Sequence, residues 1–392
     1  MRIGILTFHK AINYGAYLQA FSLLRKLQES FPTDQVEIID YQAPKERNRK
    51  FYTLLWNVKH YGLKGGLAEL KRVSVFQSMQ KHFLLSPKSF CTRKLKKLYV
   101  YINGRYDVLI IGSDAVFNWN QTKFPSAFIP DYPFTIPVFT YAASVHGLRF
   151  YAVPSALLQR CGRAFDRMKY VGVRDACSER FVKLCAPNAK TLHCCDPTLF
   201  INKEDISEKG GSVAEKLQKK YGFSLDTKYI VVMASDSNMV RQIRQRYGNE
   251  YKFVSVFVKS SYADLYVSDL DPFEWTVVLK RSSMVITSYF HGTLLSLVQG
   301  TPTVVIDYSG YCDEQYEGKL KDLMYTRFHL PELYHENKEA EHFVDDTQFF
   351  EKIDEILRGG FDRRIEAAVN EERKSIHSFI NLVKVISTDA QE

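Results

Sequence analysis

The hydrophobic positions of the first forty residues fall into an apolar run, a polar turn, a periodic stretch and a second apolar run. Ile3 to Phe8 predicts a strand and His9 to Gly15 a turn. Ala16 to Gln28 predicts a helix, because Leu18, Phe21, Leu24 and Leu27 recur at three-residue spacing on one face. Val36 to Asp40 predicts the next strand. Strand, helix, strand in this order indicates a parallel α/β sheet. The pattern resumes at Val108 to Ile111, Val138 to Ala142 and Val171 to Val173, each a short apolar run ended by a polar or glycine-bearing turn. A second set begins at Tyr229 to Met233 and continues at Tyr251 to Val258, Val285 to Thr287 and Thr303 to Ile306, with a helix at about Leu294 to Gln299. From Phe349 to Ile386 the pattern is helical, broken at Gly359-Gly360.

With 392 residues the chain predicts at least two domains. The expected division is an N-terminal α/β domain over 1–200, a polar linker over 201–228, a C-terminal α/β domain over 229–345 and a helical tail over 346–392. Within the first domain, residues 42–105 carry 15 Lys and Arg against Glu46 and Glu69 only, so nearly all the positive charge is local; the net charge of the chain is +9. Phe51, Leu54, Leu55, Trp56, Leu63, Leu67 and Leu70 are interspersed, which predicts an amphipathic helical insertion interrupted around Gly62, Gly65 and Gly66. Such a segment suits either an anionic membrane surface or a solvated helical face. It has no zinc-finger or helix-turn-helix signature and no regular aromatic spacing, so no nucleic-acid partner is expected.

Seven cysteines without a CxxC pair do not form a disulfide framework. His193-Cys194-Cys195 is the one cluster to weigh as a metal site, but adjacent cysteines seldom ligate one ion, and no metal is expected. The chain enters a strand at once, leaving no room for a leader, and no apolar run reaches the roughly 18 residues needed to span a bilayer. The expectation is a cytoplasmic protein, peripheral at the inner face of the plasma membrane if the basic insertion docks there. P-loop, GxGxxG, GxSxG and HExxH motifs are absent.

Ligands of open parallel sheets sit beyond the carboxyl ends of the strands. That rule nominates four segments, and with two such domains it predicts one cleft lined by both sets of turns. In the first segment, His9, Asn13, Tyr14 and Gly15 precede a helix whose amide donors suit phosphate or carboxylate; equally, Asn13 could be a helix cap and His9 a solvated turn residue. The second carries Ser113 and Asp114 after a buried strand, with Trp119 suited either to stacking on a sugar or to filling the core. The third, YAASVHG, carries Ser144 and His146. The fourth, TSYFHGT, carries Ser288, Tyr289, His291, Gly292 and Thr293, with His291 in the first turn of a helix. A helix N-terminus disfavours an imidazolium, which suits a group cycling between acid and base. Gly292 would keep the approach to it open, while Ser288 and Thr293 offer hydroxyls.

Taken together these segments resemble the polysaccharide pyruvyl transferase family. GILTFHKAINYGAYLQAFSL is similar to that family's opening strand, loop and helix, IIGSDAVFN to its GSDxxWN segment and YAASVHG to its YAxSxG turn. VGVRD is similar to its SVRE element, CCDPTLF to its DPTLL junction, and VITSYFHGTLLSLVQGTPTVVI to its Phe-His-Gly motif with the following Gly-x-Pro. The resemblance implies an α/β fold of two Rossmann-like domains facing a cleft, like the type B glycosyltransferases. It implies a transferase that moves the enolpyruvyl group of phosphoenolpyruvate onto a saccharide, often lipid-linked, to form a cyclic ketal in cell-wall, capsule or exopolysaccharide synthesis. Phosphoenolpyruvate is then a donor substrate, and no cofactor is required. His291 is the implied proton carrier, Asp114 the group that orients or deprotonates an acceptor hydroxyl, and Arg174 and Arg241 anion contacts. Several relatives have an arginine before the Phe-His pair where this chain has Tyr289, so the resemblance leaves three options: Arg241 or Lys259 replaces that arginine, or the donor differs, most simply a nucleotide-sugar used by a glycosyltransferase. Ala115 stands where many relatives carry glutamine.

Overall fold

A computed structural model of the chain describes residues 1–122, 124–146, 148, 150–235, 238–308, 318–336, 347–359 and 362–389. Gly147 of the YAASVHG segment and the boundary expected at 345–346 lie outside them.

Two compact units are present, Met1–Phe200 with Lys374–Glu392, and Ile201–Arg373. The first unit is built on β1 (Arg2–Leu6), β2 (Gln35–Ile38), β3 (Val108–Ile111), β4 (Val138–Ala143), β5 (Tyr170–Val173) and β6 (Thr191–His193), in the sheet order β2-β1-β3-β4-β5-β6. The second is built on β7 (Tyr229–Met233), β8 (Lys252–Val256), β9 (Leu265–Val267), β10 (Met284–Thr287), β11 (Thr303–Asp307) and β12 (Tyr334–Glu336), in the order β12-β11-β10-β7-β8-β9. Every pairing is parallel. The central strands β3 and β7 are apolar along their whole length because a parallel sheet is covered on both faces. All four residues of β3 and all five of β7 are buried.

Both strand orders reverse once. After β1 the chain steps outward to β2 and then returns to the other side of β1 to lay down β3. In the second unit it steps from β7 to β8 and β9, then returns to place β10 on β7's free side. The reversals therefore lie between β1 and β3 and between β7 and β10. At such a point the helices leaving the two adjacent strands run to opposite faces and leave a crevice at the carboxyl ends.

The stretch 201–228, expected as a linker, instead holds helices Lys203–Gly210 and Val213–Tyr221. Its charged composition disguised it: Lys216 and Lys220 pair with Glu274 and Asp269 in and beside helix Pro272–Arg281, which is itself closed by an Asp271/Glu274 capping box. The tail is three helices, Thr347–Leu357, Asp362–Arg373 and Ser375–Asp389. The last belongs to the first unit, where Phe379 packs edge-on against Phe139 and Tyr141 of β4, and Ser375 accepts a hydrogen bond from the Cys195 amide at 2.9 Å.

Candidate active site

In the first unit the site is assembled at the reversal between β1 and β3. The loop after β1 ends in Asn13, the N-cap of helix Tyr14–Ser30, whose side chain accepts from the Ala16 amide at 3.0 Å. Tyr14 and Gly15 form the buried first turn, with Tyr14 edge-on to Phe76. His9 is completely buried, not a solvated turn residue. Its Nε2–H donates to Asp40 at 3.2 Å, Nδ1 lies 3.4 Å from the Thr7 carbonyl, and Lys10 also pairs with Asp40. The imidazole therefore braces the loop from beneath.

Beyond β3 the chain turns through Gly112, Ser113 and Asp114. Gly112 has φ of 138°, and a Cβ there would lie 2.0 Å from the Tyr141 carbonyl oxygen, so only glycine fits. Asp114 also has a positive φ, 75°, and its backbone pairs with β4's end: the Ser144 amide donates to the Asp114 carbonyl at 2.9 Å. Ser113 Oγ is buried and meets no hydrogen-bond partner among the described residues. Ser144 is buried, donating its hydroxyl to Asp175 at 2.8 Å. Trp119 serves mainly as core, against Phe124 and Phe181, but also borders an open pocket of about 440 Å³ with Asn120, Leu148 and Pro154.

Arg174 was expected as an anion contact. The structure places it 5% exposed, with Nη1 2.8 Å from Asp196 and 3.8 Å from Asp114. Burial disfavours its charge, but Asp196, Asp114 and Asp175 outweigh burial and raise its pKa above the ordinary arginine value. Its charge is opposed by the protein's own carboxylates. Asp196 additionally accepts from Gln19 at 2.5 Å and from the Thr198 amide and hydroxyl at 3.0 and 2.7 Å. This network links β3, β5, the end of β6 and the first helix. Asp175, Gln19 and Ser178 were not singled out from sequence, since only strand adjacency brings them together. The signal for Asp196 was its place in the DPTLF segment.

In the second unit the reversal between β7 and β10 carries the fourth segment. Helix Phe290–Val298 starts directly after β10, with Tyr289 as N-cap residue and His291 in the first turn, half-buried and edge-on to Phe290. Helix Asn238–Tyr247 follows β7 and carries Arg241, exposed and bonded to Asn238 Oδ1. Lys259 is exposed in the loop after β8. Tyr289 is 40% exposed, with its ring 6.0 Å from Phe257 and its hydroxyl pKa raised by burial. Two expectations need correction. Gly292 faces the sheet, where a Cβ would lie 2.7 Å from Thr287 Oγ1 and 2.8 Å from Met233 Cε, so the glycine serves helix packing. Thr293 is buried, and its hydroxyl donates to the Tyr289 carbonyl at 3.2 Å within its own helix. Ser288 is half-buried, with its hydroxyl 3.4 Å from the Met233 carbonyl. No group of three or more His, Cys, Asp and Glu is placed to hold a metal ion among the described residues; Cys194 and Cys195 are buried.

Two parallel α/β sheets, each with candidate residues at its reversal point, define the class: a chain of two Rossmann-like α/β units. Solved structures share this fold. UDP-GlcNAc 2-epimerase from Neisseria meningitidis, determined bound to UDP-GlcNAc, aligns with TM-score 0.53 at 10% identity over 98% of this chain and 99% of that one. UDP-GlcNAc 2-epimerase from Methanocaldococcus jannaschii aligns with TM-score 0.50 at 11% identity over 95% and 100%. No curated protein matches the sequence. The polysaccharide pyruvyl transferase profile matches residues 13–310, and the chain belongs to that family of transferases.

The Arg174 network yields a stability prediction. Arg174→Met leaves Asp196 and Asp114 facing an apolar side chain and should cost about 3–5 kcal/mol. Urea denaturation checks this, and an unchanged midpoint would contradict the network.

The His9–Asp40 pair yields a pH dependence. Burial lowers the His9 pKa below 6.5 despite the Asp40 carboxylate. For Asp40, burial acts upward, but His9 and Lys10 overcome it and hold the carboxyl well below its usual range. Both folded values are depressed, so both contributions are present above the unfolded values and are lost as pH falls through the folded ones. His9→Gln should lose stability less steeply than wild type as pH falls from about 7 to about 5. Denaturant midpoints across that range test it, and parallel slopes would argue against a buried neutral imidazole.

Proposed function

We propose that the protein transfers the enolpyruvyl group of phosphoenolpyruvate to two hydroxyls of a saccharide, forming a cyclic pyruvate ketal and releasing inorganic phosphate. The observation that carries this reading is the reversal between β7 and β10, where His291 and Arg241 stand in two helices leaving adjacent strands, in a chain of the pyruvyl transferase family. Phosphoenolpyruvate presents a phosphate and a carboxylate. Helix N-termini and an exposed guanidinium match both, and Lys259 adds a second exposed cation.

The chemistry follows from these groups. His291, as imidazolium, gives a proton to C3, so that positive character develops at C2. A saccharide hydroxyl adds to C2 and loses its proton to a base. The C2–O bond to phosphate breaks, phosphate departs with the bonding pair, and a second hydroxyl adds to C2 with loss of its proton. Arg174, with Nη1 3.8 Å from Asp114, acts by orienting that carboxylate. Tyr289 can donate one hydrogen bond but supplies no cation at neutral pH, so the anion contact shifts to Arg241 and Lys259. The same residue supports a second reading, a glycosyltransferase that takes a nucleotide-sugar, since an exposed tyrosine beside Phe257 offers an aromatic surface instead of a charge.

The test is phosphate release from phosphoenolpyruvate with a panel of saccharide acceptors, together with mass spectrometry of the acceptor. Stoichiometric phosphate and a mass gain of pyruvate less water are expected, with His291→Asn slower by about 10²–10⁴-fold. Release of a nucleotide from nucleotide-sugars, without ketal formation, would overturn this reading in favour of the second.

A further inference from the structure

The first part of the basic insertion, residues 44–79, is a helical hairpin. Its two legs lie within Pro44–Met79, where Gly62 departs from helical geometry at φ 65° and ψ −164°. Asn57 Nδ2 lies 3.4 Å from Glu69 Oε2, although twelve residues of continuous helix would separate them by about 18 Å. The chain therefore doubles back at Gly62. A Cβ on Gly66 would sit 2.5 Å from Val58 Cγ2, and one on Gly65 would sit 2.8 Å from the Asn57 carbonyl oxygen, so these glycines let the legs approach closely.

This hairpin holds most of the exposed large apolar side chains among the described residues. Tyr52, Leu55 and Trp56 line the first leg, Tyr61 and Leu63 sit at the turn, and Leu67 and Leu70 extend the second leg at i+4 and i+7 from Leu63. Leu63 is 80% exposed and Tyr61 63%. Such an apolar edge on a folded chain marks an interaction surface. The charge around it has one sign. Residues 44–79 hold eight Lys and Arg against Glu46 and Glu69. Glu69 is buried and taken up by Arg72 at 2.9 and 3.0 Å, whereas Arg47, Arg49, Lys59, Lys64 and Lys71 are exposed.

From this geometry we infer that the hairpin is a membrane-docking device, seating its apolar turn among the acyl chains of a bilayer while its cations meet anionic lipid headgroups. The charge selects this occupant. A second copy presenting the same face would bring like charges together, whereas an anionic leaflet is complementary at about tenfold in binding for every one or two cations. Tryptophan and tyrosine bordering leucine is the composition that settles at a headgroup boundary. The inference is independent of the donor substrate, and its experiment contains no catalytic step.

The full-length protein is floated with vesicles of phosphatidylcholine alone and of phosphatidylcholine with phosphatidylglycerol, at low and high salt. Wild type should float with the anionic vesicles and be released by salt. Lys59→Glu with Lys64→Glu, and separately Leu63→Glu with Leu67→Glu, should each lower partitioning at least about tenfold without moving the thermal midpoint, because all four side chains are exposed. Trp119 and Trp275 are buried, so a vesicle-induced blue shift of tryptophan emission should vanish in Trp56→Phe. Equal flotation of the variants, failure of wild type to bind anionic vesicles, or lipid-free self-association abolished by the leucine substitutions in a protein that does not float would each overturn the inference.

Discussion

A parallel sheet can reverse its strand order only by sending the helices that leave two neighbouring strands to opposite faces, and this constraint organises the candidate chemistry in both halves of the chain. The strands themselves have no choice of composition. Buried on both faces, β3 and β7 are wholly apolar and can carry no catalytic group. Polar function is displaced to their carboxyl ends, where helix N-termini leave amides unpaired and the backbone can be bent. The first unit meets this with Gly112, whose positive φ and absent Cβ let the turn pass against Tyr141, and so set Ser113 and Asp114 beyond the strand. The second meets it with Gly292, which brings the His291 helix close onto β7 and β10.

The two halves use charge differently. In the first, a buried cation is enclosed: Arg174 lies against Asp196 and Asp114, Gln19 donates to the same Asp196 oxygen, and Thr198 donates to the other. Removing one member of such a buried network leaves the others uncompensated. In the second, Arg241 and Lys259 stand at the surface near the strand ends, where an anion could recruit them. Within the proposed reaction, anion binding falls to the second unit. The basic hairpin is a third use of charge, one sign gathered on an exposed surface.

How much was legible in the sequence depended on range. The central strands were readable because continuous apolar runs bounded by turns admit little else, and Val108–Ile111 and Tyr229–Met233 carry the bounds expected of them. Three-residue edge strands such as β6 and β9 were missed, since their half-exposed residues lack a distinctive period. The four turn segments could be found from local pattern, and the family from their order. Arg174 could not be interpreted locally: a lone arginine after a strand looks available to a ligand until β3, β5 and the end of β6 are laid side by side. Likewise, three glycines in the basic insertion look equivalent in sequence, yet only Gly62 turns the chain, while Gly65 and Gly66 serve close packing.

The central claim is that the second unit's reversal point receives the anionic donor. A crystal structure determined with phosphoenolpyruvate present tests it most directly. The account predicts the donor's phosphate or carboxylate within hydrogen-bond distance of Arg241 or of the first amides of helix Phe290–Val298, with the His291 ring facing C3. Phosphoenolpyruvate bound away from both helix starts, with His291 turned from it, would contradict the account.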